Sequence, residues 1–132
     1  MDERRVVISA AVPRHSPSYS HAVVANWFIF CSGQVGEDST CRIVGGDTYD
    51  QAKRPLLNLD TILREVGTSL DAAVKLTVFL LDWDRDLPLV RRALDERFVS
   101  SPPTRSTVQV AKVALGGLVE IDAVVRAPSS QQ

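Results

Sequence analysis

Long apolar runs are absent from this 132-residue chain, and no segment approaches the ~20 consecutive apolar residues that a membrane helix needs. Behind the charged start Met1-Asp2-Glu3-Arg4-Arg5, the apolar stretch from Val6 to Ala11 is too short for a signal peptide and runs into Pro13. A cytoplasmic location is expected, with no membrane partner. Cysteine is scarce: Cys31 and Cys41 are the only two, without Cys-x-x-Cys spacing, which argues against a disulfide scaffold. Both are expected as free thiols, Cys31 as a small core residue. Histidine is equally scarce, and His15, His21 and the cysteines do not supply the three or four ligands of a zinc site, so no metal is expected. An excess of charge of either sign is missing too. With 15 Lys and Arg against 16 Asp and Glu, no global field draws the chain toward nucleic acid.

Several familiar motifs are also missing. Ser32-Gly33 lacks the flanking glycines of a nucleophile elbow, and Gly45-Gly46 lacks the Lys-Ser/Thr of a phosphate loop. Asp82-Trp83-Asp84-Arg85-Asp86 starts like a calcium loop, but Leu87 and Ala93 stand where a glycine and a bidentate acid are required.

What is present is a regular succession of elements in a length suited to one domain over residues 1–132, with a polar tail from about residue 127. Arg4 to Ala10 reads as a strand. His21–Ala25 and Trp27–Ser32 read as a hairpin about Asn26, the second strand apolar on both faces and ended by Gly33. A further short strand is possible at Arg42 to Val44. Asp47 is an N-cap for a helix carrying Ala52, Leu56, Leu59, Ile62 or Leu63, and Val66 at helical spacing up to Gly67; Pro55 predicts a kink or a late start. Ala73–Leu81 reads as a central strand. Asp86 is expected to cap a second helix, with Pro88 in its first turn and Leu87, Val90, Leu94 and Phe98 as its buried stripe. Thr104–Ala111 alternates, with Arg105, Thr107 and Gln109 on one side. After Gly116-Gly117, Leu118–Arg126 places Glu120 and Asp122 opposite Val119, Ile121, Ala123 and Val125. This order predicts an α+β fold with two helices on one face of a mixed sheet.

Arg105 and Glu120 lie on the last two strands, which a hairpin would bring side by side. The pair fits either a cross-strand salt bridge or a site in which the guanidinium fork grips a substrate carboxylate. The pattern alone does not name a reaction.

The stretch Pro103-Thr104-Arg105-Ser106-Thr107-Val108-Gln109-Val110-Ala111-Lys112-Val113, followed by Val119-Glu120-Ile121, resembles the C-terminal signature of the Rid (YjgF/YER057c/UK114) family of reactive-intermediate deaminases. Three other pieces agree in order. Ser18-Tyr19-Ser20-His21-Ala22 resembles the family's Pro-Tyr-x-Gln-Ala, Phe30-Cys31-Ser32-Gly33-Gln34 its Thr-Ser-Gly-Gln, and Val74-Lys75-Leu76-Thr77-Val78-Phe79-Leu80 its Val-Lys-x-Thr-Val-Phe-Leu. The resemblance implies a chorismate-mutase-like fold, a homotrimer with clefts between subunits, and cofactor-independent hydrolysis of small enamines and imines of the 2-aminoacrylate type to 2-keto acids and ammonia. By the same resemblance, Arg105 holds the substrate carboxylate, Glu120 directs water, Tyr19 closes the cleft, and Ser32, Gly33, Thr107 and Arg91 lie beside the ligand. The chain departs from the family where Thr107 replaces a usual cysteine, His21 a glutamine and Arg91 a frequent asparagine. A second cation at Arg91 would suit a dianionic acid such as a 2-aminomuconate, and His21 could assist proton transfer. A trimer that binds a carboxylate metabolite without turnover is the non-enzymatic alternative.

Overall fold

The computed structural model describes residues 4–129. Its elements are β1 (Arg4–Val7), β2 (Ala22–Ala25), β3 (Phe28–Val35), α1 (Thr48–Arg64), β4 (Ala73–Leu80), α2 (Trp83–Arg97), β5 (Thr104–Gln109) and β6 (Val119–Arg126), with short 3-10 turns at Leu70–Ala72 and Ala114–Gly116. The strands form one sheet in the order β1-β2-β3-β6-β4-β5. All neighbours are antiparallel except β4 and β5, which are parallel and joined through α2. This is the expected α+β architecture, with both helices on one face of a mixed sheet.

Alternation decides which face is which. Leu76, Val78 and Leu80 of β4, and Val119, Ile121, Ala123 and Val125 of β6, are buried beneath the helices together with Leu59, Ile62 and Leu63 of α1 and Val90 and Leu94 of α2. The other face carries no helix, yet it is not polar. Val6 pairs with Val23, Val23 with Phe30 and Phe30 with Val124, so one apolar row crosses four strands on the uncovered face. Val6 and Phe30 are 44% and 49% exposed. β3 is therefore buried on one face and open on the other within a single chain, correcting the expectation of a strand buried on both. The helix-free face thus keeps large apolar side chains in contact with solvent.

The helix starts follow local chemistry. Asp47 caps α1, accepting from the Asp50 N–H, while the Asp50 carboxylate accepts from the Asp47 N–H in a reciprocal capping box. The helix begins at Thr48, so Pro55 does not delay it. The Gln51 carbonyl that Pro55 leaves without its helical donor lies against Gly36, where a Cβ would come within 2.8 Å of that oxygen. α2 is capped by Asp82, which accepts from the Arg85 N–H, four residues before the expected cap. Asp86 is instead fully buried, accepting from Thr48 Oγ1 at 2.6 Å, the Asp82 N–H at 3.0 Å and the Arg85 guanidinium, and so it ties the two helix starts together. Pro88 falls in the second turn of α2 rather than the first.

Other boundaries shift modestly. β1 stops at Val7 rather than Ala10, and the Arg42–Val44 segment makes only an isolated bridge between Glu37 and Ile43. β3 continues past Gly33 to Val35 because a bulge absorbs the glycine. Ala127, in the expected polar tail, is buried and donates to the Trp27 carbonyl, while residues 130–132 of that tail lie outside the described residues. No helix among the described residues is long and apolar enough to cross a membrane.

Candidate active site

The residues expected at the site separate into two groups on opposite faces of the sheet. The first surrounds the β3 bulge. Cys31 pairs with Ala123 and Gln34 with Ile121, so Ser32 and Gly33 together oppose Asp122 of β6. Glu120 leans over this bulge. A Cβ on Gly33 would collide with Glu120 Oε2, so the absence of a side chain at Gly33 makes room for the carboxylate. Ser32 Oγ donates to the Ser20 carbonyl at 2.6 Å, and its N–H donates to the His21 carbonyl. The loop before β2 is thereby held against the bulge, bringing in Tyr19, whose hydroxyl accepts from the His15 N–H and whose carbonyl accepts from Arg14. Burial raises the pKa of Glu120 above the ordinary carboxylate value, and the neighbouring Asp122 charge adds to the rise. A half-buried carboxylate with an elevated proton affinity is suited to take a proton from water.

The second group lies at the β5 edge. Arg105 pairs with Leu76 and Thr107 with Val78, both of which face the helices, and the Gln109 Oε1 accepts from the Trp83 N–H at the start of α2. Arg105, Thr107 and Gln109 therefore face the helix side. Arg105 lines a hollow of about 60 Å³ with Leu76, Leu94, Asp95, Phe98, Pro102 and Pro103. Arg91 is exposed on α2, three and four residues before Leu94 and Asp95, and so on the helix flank that borders Arg105.

The hairpin expected between Arg105 and Glu120 does not form. β4 lies between β5 and β6, and the registers put Arg105 level with Leu76 but Glu120 level with Phe79. Two strand spacings and three residues of rise separate their Cα atoms by roughly 14 Å, on opposite faces. A cross-strand salt bridge is excluded by the same geometry. Within one chain, the Glu120 carboxylate and the Arg105 guanidinium therefore do not share a pocket.

His21 is not a cleft residue. It is fully buried, its Nδ1 accepting from the Ser9 N–H at 2.9 Å and its Nε2 facing the Pro13 carbonyl at 2.9 Å. The ring proton sits on Nε2, and the imidazole fastens the Ser9–Pro13 segment to the start of β2. His21→Ala would strand a buried donor and a buried acceptor and leave a hole. It is expected to lower the unfolding free energy by about 2–4 kcal/mol, measured by urea denaturation, with His21→Gln losing less. Cys31 is buried as expected, and desolvation with the Asp122 charge pushes its thiol up to about 12, which removes it as a nucleophile.

Two larger hollows contain none of the expected residues. One of about 480 Å³ is lined by Leu81 and the Lys112–Gly117 segment, and one of about 290 Å³ lies between α1 and α2. The expectation of no metal ligand set counted only histidine and cysteine, whereas the fold gathers His15 and Cys41 around a third group, Glu37.

Residues 9–127 match the family described as endoribonuclease L-PSP. Over 122 residues the chain is 37% identical to the human protein named 2-iminobutanoate/2-iminopropanoate deaminase, covering 92% of this chain and 88% of that one. A RutC family protein of Pyrococcus abyssi is 35% identical over 122 residues, covering 92% and 95% of the two chains. Among solved structures, yeast Mmf1 superposes with a TM-score of 0.89 at 29% identity, covering 96% of this chain and 100% of that one. RidA from an Antarctic Psychrobacter species gives a TM-score of 0.86 at 29% identity, covering 92% and 98%. Similarity along nearly the whole chain, in sequence and in fold alike, establishes that this chain belongs to the Rid (YjgF/YER057c/UK114) family.

Proposed function

We propose that the chain is a cofactor-independent imine deaminase that works as a homotrimer, each active site combining the Glu120 half of one subunit with the Arg105 half of its neighbour. The observation that carries this reading is the separation itself. One chain presents Glu120 with Ser32 and Gly33 on the uncovered face, and Arg105 with Thr107 on the helix face of the β5 edge. Stacking the apolar face of one chain on a second copy gives the exposed row through Val6 and Phe30 a partner. The relatives named imine deaminases support the chemistry.

The reaction needs little beyond placement. Arg105 takes the substrate carboxylate in a two-pronged charge-assisted grip, which fixes the C=N carbon in position. Glu120 accepts a proton from water as the water oxygen bonds to that carbon. Starting from the protonated imine, Glu120 returns that proton to the nitrogen of the resulting carbinolamine, the C–N bond breaks as the hydroxyl proton passes back to Glu120 and on to solvent, and ammonia leaves as the 2-keto acid forms. Tyr19 closes the cleft from its loop, and Thr107 and the Ser32-Gly33 backbone border the ligand. Because an imine is already electrophilic, positioning and one general base account for the acceleration.

Adding the protein to a serine or threonine dehydratase reaction is expected to speed 2-keto acid and ammonia release from the 2-aminoacrylate-type intermediate. No acceleration with any of several generated imino acids would rule the activity out and leave the carboxylate-binding trimer. A second substrate class is favoured by the position of Arg91 beside the Arg105 flank. Two cations there would prefer a dicarboxylate such as a 2-aminomuconate, which the same assay distinguishes by comparing mono- and dianionic imines.

A further inference from the structure

We propose that His15, Glu37 and Cys41 form a binding site for a zinc-class divalent cation, beside the Tyr19 loop but built from none of the residues of the Glu120 and Arg105 groups. His15 Nε2 lies 2.7 Å from Glu37 Oε1, and a ring nitrogen, a carboxylate oxygen and the Cys41 Sγ all fall within 4.8 Å of one another. Ligands around a tetrahedral zinc stand about 3.2–3.8 Å apart. The His15–Glu37 contact must open slightly and the exposed Cys41 must close, both within the reach of side-chain rotation.

Two of the three ligands are already held. The Glu37 side chain is 5% exposed, and its carbonyl accepts from Arg54 Nε at 3.1 Å and Asn58 Nδ2 at 3.0 Å, which anchors the residue to α1. His15 is fixed by its N–H bond to the Tyr19 hydroxyl. Cys41 is returned toward Glu37 by a tight turn, in which the Cys41 N–H donates to the Asp38 carbonyl and the Asp38 N–H donates to the Arg42 carbonyl. Imidazole, carboxylate and thiolate together suit zinc or cobalt and disfavour magnesium or calcium, which take oxygen ligands. Three protein ligands leave a fourth position for water.

The proton balance is defined. The Cys41 S–H bond breaks as the sulfur–metal bond forms, and that proton passes to solvent. The imidazole binds the ion through Nε2 and carries its own proton on Nδ1 in the complex.

The test is an anaerobic titration of the full chain, freed of metal by a chelator, with cobalt(II). One equivalent per chain is expected to bind, with a sulfur-to-cobalt charge-transfer band in the near ultraviolet, the strong visible bands of a four-coordinate ion, release of one proton, and displacement by zinc. Outer-shell changes alone alter metal affinity by about 10–100-fold, so removing a ligand should cost at least that. Cys41→Ser is expected to abolish the charge-transfer band, and His15→Ala to weaken binding while the wild-type far-ultraviolet circular dichroism is kept; Cys31→Ser leaves both unchanged. A wild-type protein without the band, or equal cobalt affinity in Cys41→Ser, would overturn the proposal.

Discussion

Arg105→Ala is expected to lower kcat/KM for imine hydrolysis by about 10²–10³-fold, as loss of a two-pronged charge-assisted contact worth about 3–4 kcal/mol predicts. The loss should fall on both parameters. The guanidinium supplies ground-state affinity, which raises KM when removed, and also orients the C=N carbon, so kcat falls too. Arg105→Lys keeps the charge but not the planar fork and should recover only part of the activity. Folding should be little affected, because Arg105 is exposed at the sheet edge and makes no ion pair among the described residues. Steady-state kinetics with an oxidase-generated imino acid, alongside urea denaturation, separates these outcomes; full activity in Arg105→Ala would remove the clamp from the account.

Glu120→Gln is expected to lower kcat by about 10²–10⁴-fold, the usual contribution of a general base, with KM nearly unchanged because the carboxylate grip lies elsewhere. On the proposed reading, the wild-type chain should lose activity as pH falls through the Glu120 pKa. Burial and Asp122 raise that pKa, so the acidic limb should lie above the ordinary value of 4.5. Stability runs the other way. A carboxyl whose folded pKa is raised binds more protons folded than unfolded, so between its unfolded and folded pKa values stability declines as pH rises. Glu120→Gln should therefore be the more stable protein at neutral pH, and the difference should vanish in acid. An inactive but stabilised variant separates a site residue from a structural one.

Local signals in the sequence held wherever local chemistry decides. The Asp47–Asp50 box, the alternation of Val119–Arg126 and the stripe of α2 were legible because capping, strand periodicity and helix periodicity depend on residues within a few positions of one another. The cap of α2 was misread because two aspartates four apart both precede helical residues, and only burial shows that Asp86 serves Thr48 instead. The pairing of β5 and β6 was misread for a deeper reason. Nothing near Gly116-Gly117 says that β6 will insert between β3 and β4, since that choice is made by long-range contacts among apolar faces. Arg105 and Glu120 stood out from the strand pattern, Tyr19, Ser32, Gly33, Thr107 and Arg91 entered only through the family resemblance, and the division of the candidates between two faces emerged only with the register. Glu37 gave no signal at all, as a single glutamate in a polar segment looks like any other.

The most direct test of a shared site is complementation between inactive chains. Arg105→Ala subunits keep Glu120, and Glu120→Gln subunits keep Arg105, so mixed trimers rebuild intact sites only where the two meet in the right order. Co-refolding equal amounts should restore about one quarter of wild-type activity per site, as random assembly around a three-fold ring predicts, although each variant alone is nearly inactive. A mixture no more active than its two parents, with mixed trimers verified by differential tagging, would contradict the claim that Arg105 and Glu120 act on one substrate from neighbouring subunits.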